Sequence, residues 1–248
     1  AQPFEPELTL KWLNKMFQPL KDTLPELIRG INKSKKYHWD LSPESQHNLC
    51  SKLLDEFGRD KDLVVVGKSP HPFSITLGPN DYRITTRIVE GEPLSSFLAT
   101  AHEWGHSIYE QGLPSQSHQW FAWPLGQATS MGIHESQSLF WENRIVKSKS
   151  FSKRFFKKFV SAGCSLNNYL ELWKSINHLE AGLNRVEADE LTYGLHILIR
   201  TELEIDLIER GLPAEDIPEE WNKRYGELLG IKPSNDSEGC LQDVHWSE

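Results

Sequence analysis

The feature that most constrains this chain is Ala101-His102-Glu103-Trp104-Gly105-His106-Ser107-Ile108-Tyr109-Glu110, set inside an amphipathic run. Leu94, Phe97, Leu98, Ala101, Gly105 and Ile108 recur at helical spacing, Glu92-Pro93-Leu94 opens the run and Gly112 closes it, so a helix burying one face is predicted. On such a helix His102 and His106 stand one turn apart and leave the same flank. Their imidazoles can close on one ion, and the geometry suits zinc. Glu103 points about 100° away from His102, a poor position for a co-ligand but a good one for a carboxylate that takes a proton from water. Composition alone, with ten His and 24 Glu, would produce H-E-x-x-H about four times in a hundred chains of this length, so the pattern needs support from elsewhere.

That support requires a third ligand. Past a loop from Gly112 to Pro124 rich in Ser, Gln and aromatic residues, a long helix is predicted from about Leu125 to Lys149, with Leu125, Ala128, Met131, Gly132, Leu139, Ile145 and Val146 inward. Within it Glu135 is the preferred ligand, because Gly132 three residues earlier admits a neighbouring helix and two His with one Glu is a common hydrolytic set. His134 is the rival. Neighbours on a helix diverge by about 100°, so the two cannot both face the ion.

The remainder is read as scaffold and cleft. A chain of 248 residues fits one large domain or two small ones, and is read as one catalytic domain over 1–248, with 1–60 a helical scaffold, 61–90 a small sheet and 91–248 a helical region around the metal site. Helical periodicity runs from about Pro6 to Tyr37 with a break near Pro25, and Ser42-Pro43-Glu44 opens another helix. Ser74 to Leu77 and Tyr82 to Arg87 flank Gly78-Pro79-Asn80-Asp81 and predict an antiparallel hairpin, with Arg83, Thr85 and Arg87 on one side of its second strand. Leu183 to Arg210 reads as one helix carrying a polar stripe of Arg185, Asp189, Thr192 and His196. On that stripe Asp189 could stand behind a ligating His and Arg185 could grip a carboxylate. A net charge of −8 argues against nucleic acid as a partner. No apolar run is long enough to span a bilayer, and the first residues are not a signal peptide. Three widely spaced cysteines without C-x-x-C read as reduced thiols of a cytoplasmic protein. The chain lacks an initiating Met, which suggests a start inside a longer protein or after processing.

Six motifs in order give the chain a family resemblance. His71-Pro72-Phe73, Asp81-Tyr82-Arg83-Ile84-Thr85, His102-Glu103-Trp104-Gly105-His106, His134-Glu135-Ser136-Gln137, Arg185-Val186-Glu187-Ala188-Asp189 and Gly239 through Trp246 resemble those of the carboxypeptidase Taq family of zinc metallocarboxypeptidases. The resemblance implies a mainly α, zincin-like fold with a small sheet beside a deep cleft, and removal of single C-terminal residues from peptides with zinc or cobalt as cofactor. It implies His102, His106 and Glu135 as ligands and Glu103 as general base. Arg83, Arg185 and His245 would line the substrate site, with His71, Asp81, His134, Asp189 and Asp243 binding substrate or standing behind the ligands. It also implies a homodimer acting on peptides with a free C-terminal carboxylate. Family members are longer at both ends, so the alternative expectation is a shortened chain that binds metal without turning over substrate.

Overall fold

Helices begin where the sequence supplies a cap, as the computed structural model, which describes residues 6–30 and 37–242, makes plain. Ser42 accepts the Ser45 N–H ahead of α2 (Pro43–Glu56), and Pro93 stands in the first turn of α3 (Pro93–Gln111). Ser130 caps α4 (Met131–Leu139), Ser148 caps α5 (Lys149–Ala162) and Asn168 caps α6 (Tyr169–Ile176), each through its side-chain oxygen.

Two of these caps break the long helix expected from Leu125 to Lys149. Ser130 and Ser148 start new helices inside it, and between α4 and α5 the chain winds as a π-helix over Phe140–Val146. Leu125 and Met131, expected inside, are 81% and 84% exposed as a result. The helix expected from Leu183 is likewise interrupted. Asn184 takes the Val186 N–H, Asp189 takes those of Glu180, Leu191 and Thr192, and α7 begins only at Tyr193 and runs to Ile208. Arg185 thus sits on a 3₁₀ turn and Asp189 in a loop, so the expected stripe on one helix does not form.

The described residues divide into two compact units, one within Lys36–Asn177 and one drawn from the described parts of Ala1–Lys35 and His178–Glu248. In the second, α1 (Pro6–Gly30), α7 and α8 (Ile217–Leu228) share a core of Phe17, Leu195, Leu198, Leu203, Trp221 and Tyr225. The break expected near Pro25 is absent. Leu13, Phe17, Leu20, Leu24 and Ile28 continue one packed stripe across both Pro19 and Pro25, and that burial outweighs the lost backbone bonds.

The first unit is built around α3. Its Phe97 meets Phe155 and Phe159 of α5 at ring distances of 5.4 and 4.9 Å, and its Trp104 packs with Tyr82 and Ile84 beneath the sheet. That sheet has the order β1-β3-β2, from β1 (Val64–Lys68), β2 (Ser74–Gly78) and β3 (Asp81–Thr86). The expected antiparallel hairpin forms between β2 and β3 and turns through Asn80 at φ 63°, while β1 adds in parallel on the far side of β3, so the sheet as a whole is mixed. Arg83 faces out and Tyr82 and Ile84 face in, but Thr85 and Thr86 are both buried. Each finds partners there: Thr85 bonds Ser69 and the Phe73 N–H, and Thr86 bonds the Ser96 carbonyl and Thr100, which ties β3 to α3. Among the described residues no helix is long and apolar enough to cross a membrane. Cys50, Cys164 and Cys240 are buried thiols, and burial pushes Cys164 up to about 12.

Candidate metal centre

Glycine decides how closely the two site helices approach. A Cβ on Gly105 of α3 would lie 2.5 Å from the Ser138 Cα and 2.7 Å from the Gln137 carbonyl oxygen of α4, so the backbones touch at this point. The close approach expected at Gly132 is not found there, since nothing lies within 4 Å of its missing Cβ. Contact at Gly105 instead swings Glu135, one turn before Ser138, over the flank that carries the two histidines.

Glu135 Oε2 lies 3.4 Å from His106 Nε2 and 3.7 Å from His102 Nε2, and the three ligand atoms fall within 4.8 Å of one another. An ion bound at about 2.0–2.2 Å from each in a tetrahedron would need donor separations of about 3.3–3.6 Å, so small side-chain adjustments suffice. The donor set, two imidazoles and a carboxylate, fits a divalent cation of the zinc type. His134 stands behind this group. Its Nδ1 is 2.6 Å from His106 Nδ1 and its Nε2 is 2.8 Å from Glu110 Oε1.

His102 is held from behind as well. Its Nδ1 is 3.0 Å from Glu142 Oε2, whose other oxygen is 3.6 Å from Lys147 Nζ. Glu142 lies in the π-helical segment, where the Lys147 N–H reaches back five residues to its carbonyl. Glu110, Glu142 and Lys147 were not among the residues singled out from the sequence. Glu110 could have been found as the residue one turn beyond His106, and Glu142 as two turns beyond Glu135.

The electrostatics follow from burial and these partners. Burial opposes a charged His102, yet the hydrogen bond and charge of Glu142, with the charges of Glu135 and Glu103, raise its pKa overall. Burial likewise opposes an ionised Glu135, but the His106 hydrogen bond and the charges of both histidines hold it below the usual carboxylate range. Glu103 behaves differently. It is only 7% exposed, and burial, with the charge of Glu135 adding, pushes it up to about 7 against the opposing charges of His102 and His71 and a hydrogen bond from Ser74.

The other expected residues scatter more widely. His71 lies in the loop before β2, close enough for its charge to act on Glu103. Arg83 donates to both oxygens of Asp81, at 2.9 and 3.1 Å, on the exposed face of β3. Arg83 also lines, with Tyr82, Ser107, Glu110, Gln127 and His134, a cavity of about 280 Å³ against β2. Arg185 and Asp189 belong to the other unit, where Asp189 caps the turn into α7 and the charge of Arg185 acts on His196. Asp243 and His245 fall outside the described residues.

Fold and site together define a candidate metallohydrolase centre on a mainly helical scaffold with a small mixed sheet. A family model described as carboxypeptidase Taq (M32) metallopeptidase matches residues 2–248. Thermostable carboxypeptidase 1 of Thermus thermophilus is 39% identical over 252 residues, covering 98% of this chain and 49% of that protein. Carboxypeptidase 1 of Bacillus subtilis is 39% identical over 256 residues, with 98% and 50% covered. Among solved structures, the M32 carboxypeptidase from Deinococcus radiodurans superposes with a TM-score of 0.84 at 32% identity, over 95% of this chain and 48% of that one. The chain belongs to the carboxypeptidase Taq (M32) metallopeptidase family and spans about half the length of the relatives it matches.

Proposed function

We propose that this chain carries the catalytic centre of a metallocarboxypeptidase, with His102, His106 and Glu135 holding zinc or cobalt and Glu103 as general base. The convergence of His102 Nε2, His106 Nε2 and Glu135 Oε2 within 4.8 Å carries this reading. Held there, a divalent ion would supply polarisation of the scissile carbonyl and a bound water with its pKa brought toward about 7, and would favour the ionised form of Glu103. The rest falls to the chain's own residues.

Glu103 projects from the same helix as the two histidines but around its side, which leaves its carboxylate free to act on a water without competing for the ion. In a buried site with a pKa near neutrality it accepts a proton from water and delivers it to the leaving amine nitrogen. Arg83, on the wall of the cavity beside Glu110 and His134, offers a planar pair of donors to a substrate carboxylate. The family resemblance adds Arg185 and His245 to that task. A fixed clamp on the terminal carboxylate is what separates removal of one C-terminal residue from internal cleavage.

One peptide made with a free and with an amidated C-terminus tests this. Cleavage of the free form alone is expected, and equal cleavage of both would overturn the carboxypeptidase reading. Because the chain spans half the length of its relatives, a second reading is a metal-binding chain that does not turn over, favoured if zinc binds and neither peptide is cut.

A further inference from the structure

Positive charge is concentrated in one segment of an acidic chain. Residues 143–170 hold seven lysines and arginines and neither aspartate nor glutamate, although the net charge of the whole is −8. Five of the seven are on α5, whose inward side is fixed in the core by Phe151, Phe155 and Phe159. Lys149, Lys153 and Lys157 follow one another at four-residue steps, so they leave the opposite, exposed side of the helix within an arc of about 80°. Val160, 43% exposed, continues that row. Lys149 Nζ stands 4.5 Å over the Trp173 ring, which sets α6 beside it, and Leu170 and Lys174 of α6 are exposed as well.

Two of the α5 cations are already matched, since Arg154 and Lys158 both pair with Glu56 of α2. Lys149, Lys153, Lys157 and Lys174 make no ion pair among the described residues. The carboxylates that bracket the segment are engaged elsewhere, Glu142 by His102 and Lys147 and Glu171 by Asn167. We propose that this face of α5 and α6 is a docking surface for the anionic headgroups of a lipid bilayer. Lysines are compact charges on flexible stems and suit a mobile array of phosphates, whereas the planar fork of arginine suits fixed carboxylates, and the one arginine of α5 is committed to Glu56. Apolar side chains standing among lysines are the composition of a helix that rests in the headgroup region. The aromatic rings that would stack on nucleic-acid bases are turned into the core. Contact stays at the surface, because the apolar side of α5 is used up inside the protein. Acidic groups elsewhere are screened beyond about 8 Å at physiological ionic strength, so they weaken the attraction felt at contact without cancelling it.

Flotation of the 248-residue chain with vesicles tests this. Binding is expected to vesicles of equal parts phosphatidylglycerol and phosphatidylcholine and not to phosphatidylcholine alone. It should vanish when salt rises from about 0.1 to about 1 M, where the Debye length shrinks from about 10 to about 3 Å. A triple variant, Lys153→Gln with Lys157→Gln and Lys174→Gln, should bind about 100-fold more weakly, at about fivefold for each lysine. Those side chains are exposed and make no ion pair, so an unchanged urea midpoint is expected to show that the fold is kept. Arginine at the same three positions keeps the charge and should keep the binding. Lys11→Gln with Lys15→Gln and Lys232→Gln, in the other unit, removes the same charge and should bind within about twofold of the unaltered chain. Equal binding to both kinds of vesicle, binding to neither, or a first triple variant within about twofold of the unaltered chain would overturn the proposal. Tighter binding of polyglutamate or single-stranded RNA than of vesicles, at equal charge concentration, would assign the face to another partner and overturn it too. None of these measurements involves the metal, so their outcome is independent of the function proposed above.

Discussion

His102, His106 and Glu135 present one atom each to a common point, and the consequence for binding is direct. Replacing any one with alanine leaves two donors, and zinc affinity should fall by more than about 100-fold, beyond the loss seen when only a supporting residue is removed. Metal content after dialysis against a fixed free-zinc concentration checks this, and retention by His102→Ala would sink the site. Glu103 is separable from binding because it lies around the helix from the ligands. Glu103→Gln should keep its zinc while hydrolysis of a free-C-terminal peptide slows by about 10²–10⁴-fold, the usual contribution of a general base. Measuring metal and rate on one preparation distinguishes that outcome from a collapsed site. The candidate ligands were legible because H-E-x-x-H is a local pattern and two His with one Glu a common set, while the glycine argument for Glu135 pointed to Gly132 and the helices meet at Gly105. Glu110 and Glu142 were not singled out, because a carboxylate behind a histidine resembles any other charged residue on a helix until the helices are packed.

At the level of elements, the contact between α3 and α4 is the critical one. Gly105→Ala would drive a methyl group to 2.5 Å from the Ser138 Cα, against backbone that cannot rotate away. The helices must separate, at a cost of about 1–3 kcal/mol, and Glu135 is carried off the histidines with α4. A lower urea midpoint together with weaker zinc binding is expected, and an unchanged pair of values would show that the helices are free to slide. Gly132→Ala is the control. Nothing surrounds that position, so the same methyl should leave stability unchanged or raise it by up to about 1 kcal/mol through better helix propensity. The helix α3 was readable from its proline, stripe and terminal glycine. The run from Leu125 to Lys149 was not, since Ser130 and Ser148 are ordinary helix residues in a pattern and become caps only when their hydroxyls take backbone N–H groups. What stayed hidden about β1 was its parallel pairing, because pairing direction depends on where β3 inserts and not on the residues of β1.

For the molecule as a whole, one buried imidazole makes a prediction about acid. His196 is fully buried, and desolvation, helped by the charges of Arg200 and Arg185, depresses its pKa to about 3. An unfolded histidine titrates near about 6.5, so below that value the unfolded chain binds a proton that the folded chain refuses. Stability is therefore intact above about pH 6.5 and is lost as pH falls toward 3, by up to about 1.4 kcal/mol per unit from this residue. Glu103 has the opposite sign, since its raised pKa lets the folded state take a proton first. The contrast between the unaltered chain and His196→Gln isolates the histidine. Between about pH 6.5 and 5 the unaltered chain should lose about 2 kcal/mol more than the variant, read from urea midpoints, and equal slopes would refute the assignment. The sequence by itself determined the helical class, the motif helix, the ligand candidates and the family. These rest on periodicity and spacing, which survive any packing. Only the tertiary structure decided which glycine brings α3 and α4 together, which carboxylates stand behind the histidines and that α1 runs straight through two prolines. Each of those depends on contacts between segments far apart in the chain, where burial and hydrogen bonding outweigh local preference.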